Sequence, residues 1–544
     1  MTQTSIKTLR DSAGMRWTAL LLLALAMFCS YVFMDILSPI KDLMQETRGW
    51  DSASFGRMQG AEVFLNVYVF FLIFAGIILD KMGVRFTAVL SGAVMLFGGA
   101  IKFYACSDAF IGTGLEAWFN THLNWDGDIP IIGTILPFAE GMPASAKLAA
   151  LGFMFFGCGC EMAGITVSRG IVKWFKGRET ALAMGSEMAL ARLGVATCMI
   201  FSPYFAKLGG EIHVDNAVKF GVVLLCIALI MFIVYFFMDK KLDAQTGEAE
   251  EKDDPFKVSD LGKIFSSLGF WLVALLCVLY YSAIFPFQKY AVNMLQCNLD
   301  LTPADPNTFW GGESVTWVQY LLMLVVAAGS FSSNFIKKNK GLKYGLMGVA
   351  VVALIVYCYM GYMRGTAETI FAVFPLLAVA ITPILGNYVD HKGKAASMLM
   401  LGSILLVICH LTFAFVLPGV SAASAAGGVV VAYVTILVLG ASFSLVPAAL
   451  WPSVPKLVDE KIIGSAYAAI FWIQNIGLGL FPALIGLVLN KTNKEGAAAH
   501  ELDYTWALVM LAALGIAALL ISVYLKAVDK KKGYGLEEPN IKES

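Results

Sequence analysis

The sequence predicts an all-α polytopic membrane protein, and three observations carry that expectation. The chain has 544 residues, 58% of them hydrophobic and only 14% charged, whereas a soluble globular domain is nearer one quarter charged. About 14 apolar runs reach the roughly 20 residues that span a bilayer as a helix. A short charged loop motif occurs twice, once in each half of the chain.

Taken in order, the runs lie near 17–39, 60–79, 86–105, 148–168, 181–205, 217–238, 269–290, 317–335, 344–362, 368–388, 396–417, 428–448, 464–489 and 505–526. The first is already of full membrane length, so it reads as a membrane helix and not as a cleaved leader. Residues 239–264 are charged and poor in apolar side chains, as a flexible linker would be. They divide an N-terminal part, 1–238, from a C-terminal part, 265–530, which a polar tail, 531–544, follows.

Charge in the connections gives orientation. With the N-terminus in the cytoplasm, the inner loops collect Lys7, Arg10, Arg16, Lys81, Arg85, Lys173, Lys176, Arg178, Lys337, Lys338, Lys392, Lys394 and Lys530 to Lys532. About 27 basic residues then fall inside against about 11 outside, in line with the positive-inside rule. Both termini are therefore expected in the cytoplasm.

Several function classes drop out. The net charge is zero, which gives no electrostatic footprint for a nucleic-acid partner. Cys158 and Cys160 stand in an apolar run without further ligands nearby, so they read as packing and no metal is expected. Cys106 and Cys297 fall in expected outer loops and could pair. No phosphate loop is present, no histidine pair has H-x-x-x-H spacing, and no nucleophile–base set stands out, so neither an ATP-driven pump nor an enzyme is expected and no cofactor is implied. A membrane sensor would carry an attached soluble domain, for which no loop or tail is long enough.

The repeated motif reads Gly76-Ile77-Ile78-Leu79-Asp80-Lys81-Met82-Gly83-Val84-Arg85 and then Gly386-Asn387-Tyr388-Val389-Asp390-His391-Lys392-Gly393-Lys394. Gly, Asp and Gly keep their offsets, and the last base arrives one residue earlier. Glycine permits a tight turn between helices, and the aspartate can meet a base or helix end across the inner seam. Gly76, Asp80, Gly83, Arg85, Asp390 and Gly393 are thus gating candidates. The pair resembles the signature loop of the major facilitator superfamily. That resemblance implies two six-helix bundles around a central cavity and alternating access by rocking. Two helices exceed that plan, and the extra hairpin fits either at 317–362 or between the halves. We prefer 317–362, because 280–287 looks like a genuine seventh helix.

A closer resemblance rests on Cys29-Ser30-Tyr31 with Asp35, Gly159-Cys160-Glu161, Trp174-Phe175-Lys176-Gly177, Ala191-Arg192-Leu193-Gly194, Tyr280-Tyr281-Ser282-Ala283-Ile284-Phe285-Pro286-Phe287, Ala449-Leu450-Trp451-Pro452, Gly464-Ser465-Ala466-Tyr467 and Ile473-Gln474-Asn475-Ile476-Gly477. Together these are similar to the lysosomal dipeptide transporter branch of the superfamily. The resemblance implies a dipeptide uniporter or a near relative, with Glu161 and Arg192 in its cavity. The chain departs from the branch in its added hairpin, in a longer outer loop at 106–146, and in an N-terminal tail without an acidic dileucine signal. A prokaryotic-type plasma membrane is therefore preferred to a lysosomal one. The E-x-x-E-R pattern of proton-coupled peptide transporters is missing from the first helix.

Charge within a bilayer is costly, so ionisable residues there are functional candidates. By helical rise Arg192 lies roughly 16 Å deep and Glu161 roughly 10 Å, within reach of each other. Arg192 can hold a substrate carboxylate by a bidentate contact. Glu161 can hold a substrate amine or pair with Arg192 in the empty carrier; alternatively the two only lock neighbouring helices. Asp35, Glu62 and Lys289 fall near the outer face, where Lys289 can pair with Asp35 or Glu62 when an outer gate closes; they can equally be solvated interfacial charges. Tyr31 shares a face with Asp35, and Gln59, Glu62 and Asn66 form one stripe. Tyr280, Tyr281, Phe285, Trp451, Gln474 and Asn475 offer aromatic and amide groups from the C-terminal part, as cavity lining or as packing. Pro286 is expected to kink or loosen its helix. Glu187 lies about 140° round from Arg192 and should face elsewhere, and His410 reads as a structural polar group.

The leading expectation is a carrier that moves a small solute, with dipeptides favoured, through the lipid bilayer. The alternatives are a proton-coupled organic-anion transporter and, further off, a non-transporting sensor. A small-molecule partner and proton coupling are contemplated; a nucleic-acid partner is not.

Overall fold

The computed structural model describes residues 8–125, 136–176, 179–246, 258–333, 336, 339–458 and 463–540. Lys7, Gly177, Arg178, Lys337, Lys338, residues 247–257 of the linker and the last four residues lie outside these. Thirteen helices are long and apolar enough to cross a membrane. One of them, Phe71–Cys106, is two helices joined across Gly83, whose φ of 79° and ψ of 168° break the helical run. Among the described residues this makes fourteen membrane helices, and the chain is a multi-pass membrane protein.

The first half begins with α1, Ala13–Met34. The second helix, α2, is assembled from Ser52–Gly60, Phe64–Tyr68 and 71–82. Asp51 caps its first piece by accepting the Ser54 amide at 2.8 Å, one of the orphan donors at a helix start. Phe70 takes a left-handed φ of 56° between the later pieces. Then follow α3 at 84–106, α4 at Ala144–Trp174, α5 at Thr180–Ala206 and α6 at Val214–Thr246.

The second half opens with α7, Leu268–Asn298. Two additional helices come next, α8 at Glu313–Ser333 and α9 at Lys340–Arg364. The chain continues through α10 at Val373–Lys392, α11 at Ala395–Leu411, α12 at Ala425–Leu457, α13 at Ile463–Thr492 and α14 at Thr505–Lys532. The added α8–α9 hairpin thus leaves the chain between α7 and α10. α8 packs on α5 and α10, while α9 turns Val351, Val352 and Ile355 outward. α7 runs as one helix through Pro286.

Lipid is as apolar as a leucine side chain, so helices in a bilayer associate by close packing of small residues. α3 meets α4 in this way: a Cβ on Gly98 would strike the backbone of Gly152 and Phe156. α2 meets α13 likewise, through Gly56 and Gly60 against Gly479 and Pro482. We call the side holding both termini the terminal face and its opposite the far face.

The two copies of the repeated loop lie at the terminal face and are fastened differently. Asp80 takes Arg169 of α4 at 2.7 Å. Arg85 of α3 pairs with Asp243 of α6 at 2.9 Å, and Lys173 of α4 bridges Asp239 and Asp243 at 2.7 Å each. In the second copy Gly393 has φ 71°, but Asp390 accepts from the Asn540 amide at 3.0 Å instead of meeting a base. Residues after α14 double back over this loop. The Glu537 carboxylate accepts from the amide and hydroxyl of Ser397 at 2.8 Å each, and Lys456 donates to the carbonyls of Gly535 and Glu538.

All ten cysteines are free, so Cys106 and Cys297 form no disulfide. Cys106 is buried at the end of α3, while the Cys297 thiol donates to the Ala499 carbonyl at 3.4 Å.

Candidate substrate site between the two halves

Arg192 on α5 is the centre of the site. Its guanidinium carbon lies 5.8 Å from the ring centroid of Tyr31 on α1, 5.0 Å from Phe285 on α7 and 5.1 Å from Phe443 on α12. Both halves of the molecule thus contribute rings to one cation, each a favourable face for positive charge. Among the described residues no carboxylate stands within ion-pair distance of Arg192. Its guanidinium fork also has no hydrogen-bond partner among the described residues.

Glu161 on α4 does not pair with Arg192, which corrects one expectation for the empty carrier. Its Oε1 accepts from the Asn475 amide of α13 at 3.0 Å. Asn475 is almost fully buried, and a buried amide needs a partner. The bond joins the two halves near the level of Arg192.

The other C-terminal candidates divide. Tyr281 and Phe285 lie with ring centroids 5.4 Å apart and planes tilted by 32°, and Trp451 donates from Nε1 to the Tyr281 hydroxyl at 3.2 Å. Trp451 in turn stacks on Phe471 at 4.8 Å. These rings continue the wall that Phe443 begins. Tyr280 does not join it: its hydroxyl shares a 2.6 Å bond with Ser442, and the side chain is wholly buried inside the C-terminal half. Neighbouring residues on a helix point about 100° apart, so Tyr280 and Tyr281 cannot both face the cavity. Gln474 differs from Asn475 for the same reason, accepting from the Cys277 thiol at 3.3 Å.

Asp35 is engaged by α7 and makes no contact with Arg192 among the described residues. One carboxylate oxygen meets Lys289 of α7 at 2.6 Å, and the other accepts from Gln288 at 2.7 Å. Both charged side chains are nearly excluded from solvent, at 2% and 9% exposure, so the pair is not snorkelling interfacial charge. Further bonds seal the far face. Tyr290 donates to the carbonyls of Ser52 and Pro482, Lys41 donates to Asn293 at 3.0 Å, and Gln296 donates to Asp42 at 3.1 Å. Glu62 lies beside this gate, close enough to feel the charge of Lys289 without bonding to it. Gln59 and Asn66 of the α2 stripe are buried against protein. Toward the terminal face α2 exposes Phe70, Phe74 and Ile77, and α10 exposes Ile384 and Tyr388.

Sequence reasoning missed several residues. Phe443 carried no signal, being one aromatic among small residues in an apolar helix. Glu187, five residues before Arg192 on α5, forms no ion pair with it among the described residues. Gln288 and Asn293 were legible as amides in an apolar helix, the same signal that marked Gln474 and Asn475. His410 is buried, with Nε2 at 3.0 Å from the Ala283 carbonyl, and ties α11 to α7. Among the described residues no group of side chains could hold a metal ion.

Comparison with known proteins was made against this geometry. The family model described as Major Facilitator Superfamily matches residues 23–367. The chain belongs to the major facilitator superfamily. Within it, the chain is similar to proteins named lysosomal dipeptide transporter MFSD1. It is 24% identical to that of Bos taurus over 66% of this chain and 62% of the relative. It is 24% identical to that of Danio rerio, over 66% and 64%, and 23% identical to that of Homo sapiens, over 66% and 63%. The match thus spans a little under two thirds of these relatives' length. Two solved transporters share the fold. The nucleoside transporter NupG has a TM-score of 0.57 at 12% identity, covering 93% of this chain and 99% of its own. A bacterial homologue of the human drug peptide transporters PepT1 and PepT2 has 0.56 at 12% identity, covering 95% and 99%.

Proposed function

We propose that the chain carries dipeptides across a membrane by alternating access. The observation that supports this most is the unpaired Arg192 within its aromatic walls, facing the same cavity as the Glu161–Asn475 contact. A dipeptide carboxylate would take the guanidinium fork, its amine would displace Asn475 from Glu161, and its side chains would lie along Tyr281, Phe285 and Trp451. The similarity to dipeptide transporters favours the same cargo. Because Glu161 bridges the halves, substrate binding would also alter the contact that the halves must break to move.

A second reading is supported by the same geometry: Arg192 is free while Glu161 is engaged, which suits an organic anion brought in with a proton. The membrane we favour is a prokaryotic-type plasma membrane with both termini in the cytoplasm, and the lysosomal membrane of the relatives is the other candidate.

Uptake of a labelled dipeptide panel into proteoliposomes, with and without a pH gradient, tests the proposal. Gradient-independent uptake that Arg192→Ala abolishes is the expected result and adds uniport. Uptake that only a pH gradient drives would make the carrier proton-coupled. Folded protein with no dipeptide flux, but with uptake of dicarboxylates, would replace the dipeptide reading with the anion one.

A further inference from the structure

Lys102 of α3 is a membrane-embedded cation that neither the substrate site nor the gate uses. Its side chain is fully buried, and its Nζ has no hydrogen-bond partner among the described residues. Two rings hold it instead: Phe153 of α4, with the centroid 3.6 Å from Nζ, and Phe33 of α1, at 5.2 Å. A phenyl face compensates an ammonium only in part, while an unpaired buried charge is among the costliest groups a membrane protein can keep. A lysine needed only to fill this space would be replaced at lower cost by methionine.

The cage lies beside the far gate. Phe33 precedes Asp35 by two residues, or about 3 Å along α1. Phe153 precedes Gly157 by one turn, and Gly157 packs directly against the backbone of Glu62. Lys102 accordingly lies within electrostatic range of Asp35, Glu62 and Lys289. Here Asp35 is taken by Lys289, and Glu62 has no hydrogen-bonded or ion-paired cation among the described residues.

Lys289 stands on α7 and Asp35 on α1, in opposite halves. Opening of the far face draws them apart and would strand a carboxylate in the gate. Removing one partner of a buried pair is strongly destabilising. Lys102 stays with the half that holds Asp35 and Glu62. Its flexible stem lets the ammonium swing from the rings to the acids.

We propose that Lys102 is a reserve counter-cation: it takes over Asp35 and Glu62 when Lys289 leaves them, so the acidic gate stays neutralised in both states. The proposal rests on alternating access and is independent of the cargo.

Spin labels at the exposed Glu46 and Lys494, one on each half at the far face, report gate opening as a distance distribution once the accessible Cys226, Cys297 and Cys358 are replaced. Lys102→Met should reduce the far-open population about tenfold or more, and Lys102→Arg should largely retain it. In an Asp35→Asn, Glu62→Gln background the effect of Lys102→Met should vanish, since no acid remains to be served. An unchanged distribution in folded Lys102→Met protein would overturn the proposal. So would an equal shift in the background without the acids, which would assign Lys102 to packing.

Discussion

At the scale of single residues the molecule distinguishes charges that are satisfied from charges held ready. Asp35 and Lys289 are satisfied, each by the other and by Gln288. Arg192 is not: it has no ion pair among the described residues, and three rings lie over it. A charge kept this way costs stability that only a ligand restores. Replacing Arg192 by Ala should therefore weaken dipeptide binding about 100-fold or more, measured as apparent affinity in uptake. Arg192→Lys should rescue little, because a point ammonium cannot reproduce the planar fork. Asp35→Asn behaves differently. It strands Lys289 at the closed gate and should cost about 3–5 kcal/mol of the closed arrangement. The expected signs are a lower melting temperature in detergent and faster thiol labelling at a far-face cysteine placed at Glu46.

At the scale of elements, glycine decides which helices can move on each other. α2 and α13 approach so closely that a Cβ on Gly60 would fall within the Gly479 carbonyl, and one on Gly56 within that of Pro482. Gly60→Ala should hold the far face ajar, abolishing transport while the separate halves stay folded. Far-face cysteine labelling against terminal-face labelling measures this, and equal rates in mutant and wild type would contradict it. Gly83 is a second such position, with φ 79° and ψ 168° in a region that other residues occupy only at a cost of about 1–3 kcal/mol. The sequence made Gly83 conspicuous through its repeat at Gly393. It gave no comparable pointer to Gly56 or Gly60, because the helix they meet is distant in the chain.

At the scale of the whole molecule the two halves are secured by unlike means. Ion pairs among α2, α3, α4 and α6 hold the terminal face of the first half. In the second half the segment after α14 does that work, through Glu537 on Ser397, Asn540 on Asp390 and a buried Leu536. Hydrogen bonds to a charged group contribute about 1.5–3 kcal/mol. Glu537→Ala should lower the thermal stability by about that amount, and truncation after Gly533 should lower it further, read by unfolding of the purified carrier. Full stability after truncation would make the strap ornamental.

Chain-local properties settled a good deal on their own. The bilayer excludes water from backbone groups, so long apolar runs have to be helices, and their number, the paired loops and the isolated deep charges of Glu161 and Arg192 could all be read directly. Helical rise also placed Asp35, Glu62 and Lys289 at one level. What it could not supply is the rotation of each helix and the identity of its neighbours. Only the packed structure sent Tyr280 inward and Tyr281 toward Arg192, gave Glu161 to Asn475 instead of Arg192, and set Lys102 between Phe33 and Phe153. Depth is a property of one helix and its sequence, whereas partnership depends on several helices at once, and in a bilayer it is fixed by the close fit of small residues that no single segment records.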